Sequence, residues 1–188
     1  MVELERYGLE FTRAGNIYPN RTYYEAHIYA FAQSLHAVCD SFPYVVFLML
    51  QPLRHTTLKG KTKEINSRCG WSEDFLNAVR ETFPSQKKLY RKLSSFMNDK
   101  DFLTLKGLVN QSKHQHLVRI QNNHTHLSFE EIEYLDKPVD GVKQTIVGQN
   151  VKKLMRKWNN KLFPKLFILF WTLHEARIDM QTSQAIME

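Results

Sequence analysis

Of the chain's 188 residues, 43% are apolar, with 12 Phe, 8 Tyr and 3 Trp among them. A chain of that length buries roughly 70% of its unfolded surface, so a core can form without staples, and the aromatic content excludes a disordered polymer. With only 7 Gly and 6 Pro, a β-sandwich crowded with tight turns is disfavoured; the formal charge of +7 attracts polyanions such as RNA, DNA or an acidic protein.

Cys39 and Cys69 are the only cysteines. Neither belongs to a CxxC pair, which argues against a disulfide framework or structural zinc and for reduced thiols in a cytoplasmic protein. The opening Met1-Val2-Glu3-Leu4-Glu5-Arg6 lacks the basic start and apolar stretch of a signal peptide. Two strongly apolar segments, 42–50 and 162–173, fall short of the ~20 residues of a membrane span. Both are expected as buried helix, and no membrane partner is expected.

No repeat, low-complexity tract or long linker divides the sequence, so residues 1–188 are read as a single domain, with 1–19 an irregular leader punctuated by Pro19-Asn20. From Asn20 the residues Tyr24, Ile28, Phe31, Leu35, Val38 and Phe42 recur at three- and four-residue steps, predicting a helix to about Leu50. Asn20 or Thr22 would cap it, and Pro43 would kink or break it. Residues 51–70 are polar and basic and read as a long loop. Ser72 is placed to cap a short helix through Thr82, and Ser85 another over 86–97. Asp99 or Asp101 opens a helix to about His114, with Phe102, Leu105, Leu108 and Val109 as its buried stripe.

Between Leu117 and Leu135 the period changes to alternation. Val118 and Ile120, the turn signal Asn122-Asn123, and then Leu127, Phe129, Ile132 and Tyr134 predict a small hairpin over 117–135. Pro138-Val139-Asp140-Gly141 closes it, and a long helix follows from about Val147 to Met180, with Val151, Leu154, Met155, Trp158, Leu162 and Phe163 inward and a bend at Pro164. The fold class is therefore mainly α, a bundle of four to five principal helices with a β-hairpin inserted before the last.

On a helix, Lys106, Asn110 and His114 stand four residues apart and form one polar stripe, with Lys113 beside it. An imidazole that exchanges a proton near neutral pH, an amide to orient it and an ammonium to hold phosphate suit metal-free RNA cleavage. The same groups suit plain anion binding, and a solvated helix face explains them as well.

The segment Val109-Asn110-Gln111-Ser112-Lys113-His114, followed by Leu117-Val118, resembles the HEPN superfamily of helical bundles (higher eukaryotes and prokaryotes nucleotide-binding domains). The resemblance is strongest over 89–120. Its motif places Arg on a late helix, a polar residue, commonly Asn, next, and His after four to six intervening positions. Asn110 and His114 match; Val109 stands where the motif has Arg. The resemblance implies an RNA- or nucleotide-binding homodimer with paired motifs. It also implies a metal-independent RNase chemistry without cofactor, in which His114 and Asn110 are catalytic. Without the guanidinium, catalysis is expected to be weak or absent, with cations for nucleic acid coming from Lys106, Lys113 or Arg119. Val109 itself is expected to be buried. The alternative is a non-enzymatic dimerisation or protein-interaction module that uses the aromatic C-terminal helix.

The remaining candidates have structural readings. His114, His116, His124 and His126 lack a carboxylate and a familiar zinc spacing, and are read as surface or hairpin histidines, with no metal site. His36 and Asp40 are read as a structural pair facing the interior. Trp158, Phe167, Phe170 and Trp171 are read as core or interface before a base-stacking platform.

Overall fold

The computed structural model describes residues 18–50, 57–58, 61–62, 70–114, 118–122, 126–135 and 143–187. Most of them are helical. In order they form α1 (Tyr18–Met49), β1 (Thr57–Leu58), β2 (Lys61–Thr62), α2 (Glu73–Thr82), α3 (Lys87–Met97), α4 (Lys100–His114), β3 (Ile120–Asn122), β4 (Leu127–Phe129), β5 (Glu131–Leu135), β6 (Lys143–Val147), α5 (Val151–Lys157), a π-helical segment (Trp158–Leu162) and α6 (Phe163–Met187). They fall into two compact units, each drawn from two separate stretches: Met1–His36 with Lys100–Leu162, and Ala37–Asp99 with Phe163–Glu188.

The first unit is organised around α4. Phe102, Leu105, Leu108 and Val109 are buried as the periodicity predicts, and so are Leu103, Thr104, Gly107 and Gln111, so the first turns of α4 are enclosed nearly all round. β5 lies against this helix at Gly107, where a β-carbon would overlap the Glu133 carbonyl oxygen and the Tyr134 side chain. Gln111 fixes the same contact: its Oε1 accepts the Glu133 N–H at 3.1 Å. From α1, Tyr29 Oη donates to the Val118 carbonyl, and Glu25 accepts the Ile120 N–H at 3.4 Å. At the other end of α4, Trp158 Nε1 donates to the Asp101 carbonyl at 3.1 Å, and Lys157 pairs with the Asp101 carboxylate.

The β region is larger than the sequence suggests. β3 and β4 form the expected hairpin, with Ile120 opposite Phe129 and Asn122 opposite Leu127. The second extended run breaks at Glu130, and β5 pairs instead with β6, from Glu131 opposite Val147 to Leu135 opposite Lys143. The sequence pattern predicts no strand over 143–147 and starts the terminal helix at about Val147, whereas Val147 ends β6 and the helix begins at Val151; the strand's alternation is weak, only Ile146 among the side chains 144–147 being even half-buried. Gly148, at φ +67°, then turns the chain in a conformation that β-branched and bulky residues avoid. Asn150 caps α5 by accepting the Lys153 N–H at 2.9 Å.

The second unit gathers an aromatic cluster. Phe42 stacks on Trp71 (centroids 6.1 Å apart) and meets Phe170 edge-on at 4.7 Å, while Trp71 also packs on Phe75 and Phe96. Trp71 Nε1 donates to the Cys39 carbonyl at 2.8 Å. Ser72 caps α2 as expected, its Oγ accepting the Phe75 N–H at 3.2 Å.

Several boundaries depart from expectation. α1 begins at Tyr18, so Asn20 and Thr22 lie inside it rather than capping it, and Pro19 falls in the first turn, where its missing N–H costs nothing. α1 also runs unbroken through Pro43. A mid-helix proline costs about 3 kcal/mol, but Phe42, Val46 and Phe47 are buried around it, each contributing about 1.5–3 kcal/mol. Val38, placed in the buried stripe by its spacing, is exposed; Ala32, Cys39 and Val46 take the inward positions beside Ile28, Leu35 and Phe42. α3 is capped at Gln86 without a side-chain hydrogen bond, not at Ser85. In 51–70 the described residues include two antiparallel strands of two residues each, Thr57 opposite Thr62 and Leu58 opposite Lys61. The leader residues before 18, most of the 51–70 loop and the Tyr24 side chain lie outside the described residues.

Near Pro164 the helix widens rather than breaks. Proline cannot donate to the carbonyl four residues back and its ring crowds that carbonyl, and the π-helical turn Trp158–Leu162 is the kind of local adjustment that accommodates both.

Candidate nucleic-acid interface

The polar stripe of α4 follows from its packing. With β5 against Gly107 and Val109 wholly buried, the helix turns Asn110, Lys113 and His114 to solvent and leaves Lys106 half-buried. Asn110 and His114 are one turn apart on the same side. The structure therefore brings together four of the residues singled out in the sequence. Arg119 is exposed on another element, just ahead of β3, where its carbonyl accepts the Glu130 N–H at 2.9 Å.

Val109, the residue that the sequence resemblance sets against an arginine, is buried in the core with Phe102 and Leu105. A guanidinium there would have to cross the buried face to reach solvent. Lys113 and His114 lie in the last turn of α4, where cations also offset the partial negative charge of a helix C-terminus.

Sequence reasoning missed the residues that fix this helix. Gln111 lies within the motif but faces inward to β5, and Gly107 is the point of close approach. A glycine inside an otherwise helical run was the available signal.

The other candidates disperse. His126 is exposed, His116 and His124 lie outside the described residues, and among the described residues no group of three His, Cys, Asp or Glu could hold a metal ion. His36 is buried, its ring stacked near Phe102 at 6.4 Å, whereas Asp40 is exposed, so they are not a shared interior pair. Cys39 is buried, and that burial pushes its thiol up to about 12, with Asp40 adding to the shift; Cys69 lies outside the described residues.

The C-terminal aromatics divide. Trp158 is fully buried and Phe170 half-buried, but Phe163, Phe167 and Trp171 are 50%, 64% and 59% exposed, with Ile168 and Ile178 also exposed. Segment 162–173 is thus buried on one face only. Trp171 Nε1 donates to Glu175 at 2.9 Å, and Lys88 pairs with the same carboxylate at 2.7 Å. The Lys88 hydrogen bond, helped by that of Trp171, holds Glu175 below the usual carboxylate range.

Among the described residues no helix is long and apolar enough to cross a membrane. Compared with known proteins, the chain matches no family, no curated protein and no solved structure.

Proposed function

We propose that the chain is an RNA- or nucleotide-binding helical protein of HEPN-like type, acting as a homodimer, with weak or absent metal-independent RNase activity. The observation that carries this reading is the exposed row of Asn110, Lys113 and His114 on α4 beside a wholly buried Val109. The exposed groups offer hydrogen bonds to ribose, base or phosphate, with Lys106 and Arg119 as further cations. In a cleavage step His114 would accept the 2′-hydroxyl proton while Asn110 holds the imidazole, and the 2′-oxygen would displace the 5′-oxygen, which takes a proton from solvent and leaves as the 5′-hydroxyl, giving a 2′,3′-cyclic phosphate while His114 returns its proton to solvent. The charge on phosphorus would be met by a lysine, a point charge less suited to it than a bidentate guanidinium. Turnover is accordingly slow or nil.

Titration of labelled single-stranded RNA tests the reading. The N110A/H114A pair should bind about tenfold more weakly, the equivalent of ~1.4 kcal/mol, and unchanged affinity would overturn the site. Any residual cleavage should survive EDTA and vanish in H114A. Val109→Arg should destabilise the fold by several kcal/mol, since a buried guanidinium there lacks a partner, and gain no activity. A stable V109R with new, His114-dependent cleavage would show that the position still opens to phosphate.

A second reading, a non-enzymatic dimerisation or protein-interaction module, is favoured by one observation: the exposed apolar row Phe163, Phe167, Trp171 and Ile178 along α6. Its signature would be concentration-dependent association lost in F167S/W171S.

A further inference from the structure

Glu133 shows which backbone groups β5 and β6 turn outward. Its N–H donates to Gln111 of α4, and its carbonyl oxygen stands against Gly107 of the same helix. Within a strand the N–H and C=O of one residue point to the same side, so Glu133 faces α4 and not β6. The bonds between the two strands therefore run at Ile132 with Ile146 and at Tyr134 with Gln144. By the same alternation Lys143, Thr145 and Val147 turn their N–H and C=O groups to the outer edge of β6.

The two edges of this ribbon differ. α4 covers the edge of β5. Among the described residues no hydrogen bond reaches the outer groups of β6, and β5 is the element packed on it. Gln144, Thr145 and Val147 are exposed, Val147 by 68%. Edge strands are normally blunted by charge, proline or a bulge. Residues 144–147 have no charge and no proline, and the register runs through them without a bulge. Thr145, Ile146 and Val147 are also strong strand formers.

We infer that β6 is a dimerisation edge, on which a second copy of this chain adds its own β6, antiparallel, about a two-fold axis at Thr145. This rests on the homodimer part of the reading above and gives that dimer its interface. The unbonded groups are centred on Thr145, so the two-fold sets Thr145 against its counterpart and Lys143 against Val147 of the copy, each pair exchanging two main-chain bonds. Threonines directly opposed are a favourable cross-strand pair. Charge selects the direction. In a chain of net charge +7, a parallel register would set Lys143 beside Lys143, whereas the antiparallel one sends them to opposite ends. Association stops at two copies, because α4 closes the far edge of each β5; the product is a closed four-stranded sheet and not a fibre. One short strand from each partner falls short of the ~800 Å² per partner of a stable complex, so the dimer is reversible.

Sedimentation velocity of the full chain over a concentration series tests the edge. The unaltered chain should pass from monomer to dimer and no further. T145K and T145E should each weaken dimerisation about fivefold by setting like charges face to face, with an unchanged far-UV spectrum because the side chain is exposed. An equimolar mixture of the two should recover association, as a two-fold through position 145 requires. Hydrogen exchange reads the same edge without a variant: rising concentration should protect the amides of Thr145 and Val147, while those of Gln144 and Ile146, bonded to β5, are protected throughout. Undiminished dimerisation in T145K, or a mixture that associates no better than its components, would overturn the proposal. Dimerisation lost in F167S/W171S but kept in T145K would place the contact on α6 and overturn it as well. A chain that is monomeric at every concentration would overturn both this edge and the homodimer of the reading above, whereas RNA binding is tested separately by N110A/H114A.

Discussion

α4 and α6 are both rich in apolar residues, yet the first turns of α4 are enclosed nearly all round while α6 buries Leu166, Leu169, Leu173 and Ala176 and exposes Phe163, Phe167, Trp171 and Ile178. The difference lies in what covers them. α4 has β5 against it closely enough to require Gly107. α6 packs on α3, where Lys88 reaches Glu175 and, one helix-end away, Lys165 reaches Asp99. Hydrophobicity makes burial favourable, but a neighbouring element has to supply it. An apolar residue left outside in this way is a property of the surface and not of the core.

Two tryptophans test the contrast most strongly. Trp158→Ala removes a fully buried ring and should cost about 3–5 kcal/mol in urea unfolding. Trp171→Ala, at an exposed position, should cost under about 1 kcal/mol. Equal losses would mean that something covers the outer face of α6. Next comes Gly107→Ala. Alanine is the better helix former by about 1 kcal/mol, so a stabilised variant would deny the close contact; the expected result is a loss of about 1–3 kcal/mol as β5 is forced away.

The smallest effect near neutral pH belongs to Cys39. Burial raises its thiol from 9.0 to about 12, so above pH 9 the unfolded chain loses a proton that the folded chain keeps. Stability contributed by the neutral thiol is complete below pH 9 and declines towards pH 12, by at most about 1.4 kcal/mol per pH unit. Cys39→Ala should flatten that part of the pH–stability profile. At pH 7 Cys39 should resist alkylation in the folded protein, and rapid modification there would show that the core opens.

Helix positions and the first hairpin were legible because Leu105, Leu108 and Val109, or Ile120 and Phe129, repeat at the period of their element. Ser72 was legible as a cap because its chemistry is local. β6 was not: its partner β5 supplies the pairing, and side chains such as Gln144 and Thr145 carry little sign of it. Nor could periodicity tell Phe167 from Leu166, since both are apolar and only the packed neighbour separates them. Asn110 and His114 could be placed on one exposed face from spacing alone, whereas Gln111, inside the same motif, owes its inward role to Glu133, twenty-two residues on.

The interleaving of the two units has a consequence for synthesis. Tyr29 waits for Val118, 89 residues later, to accept its hydrogen bond, and Phe42 waits for Phe170. Because each unit takes one stretch from the early chain and one from the late chain, neither can close while the ribosome still holds its second piece. At 5–20 residues per second, α1 spends several seconds with Ile28, Leu35, Phe42 and Val46 lacking their final neighbours. The nascent chain is most exposed to off-pathway association during that interval, and it is when a holding chaperone would find its binding site.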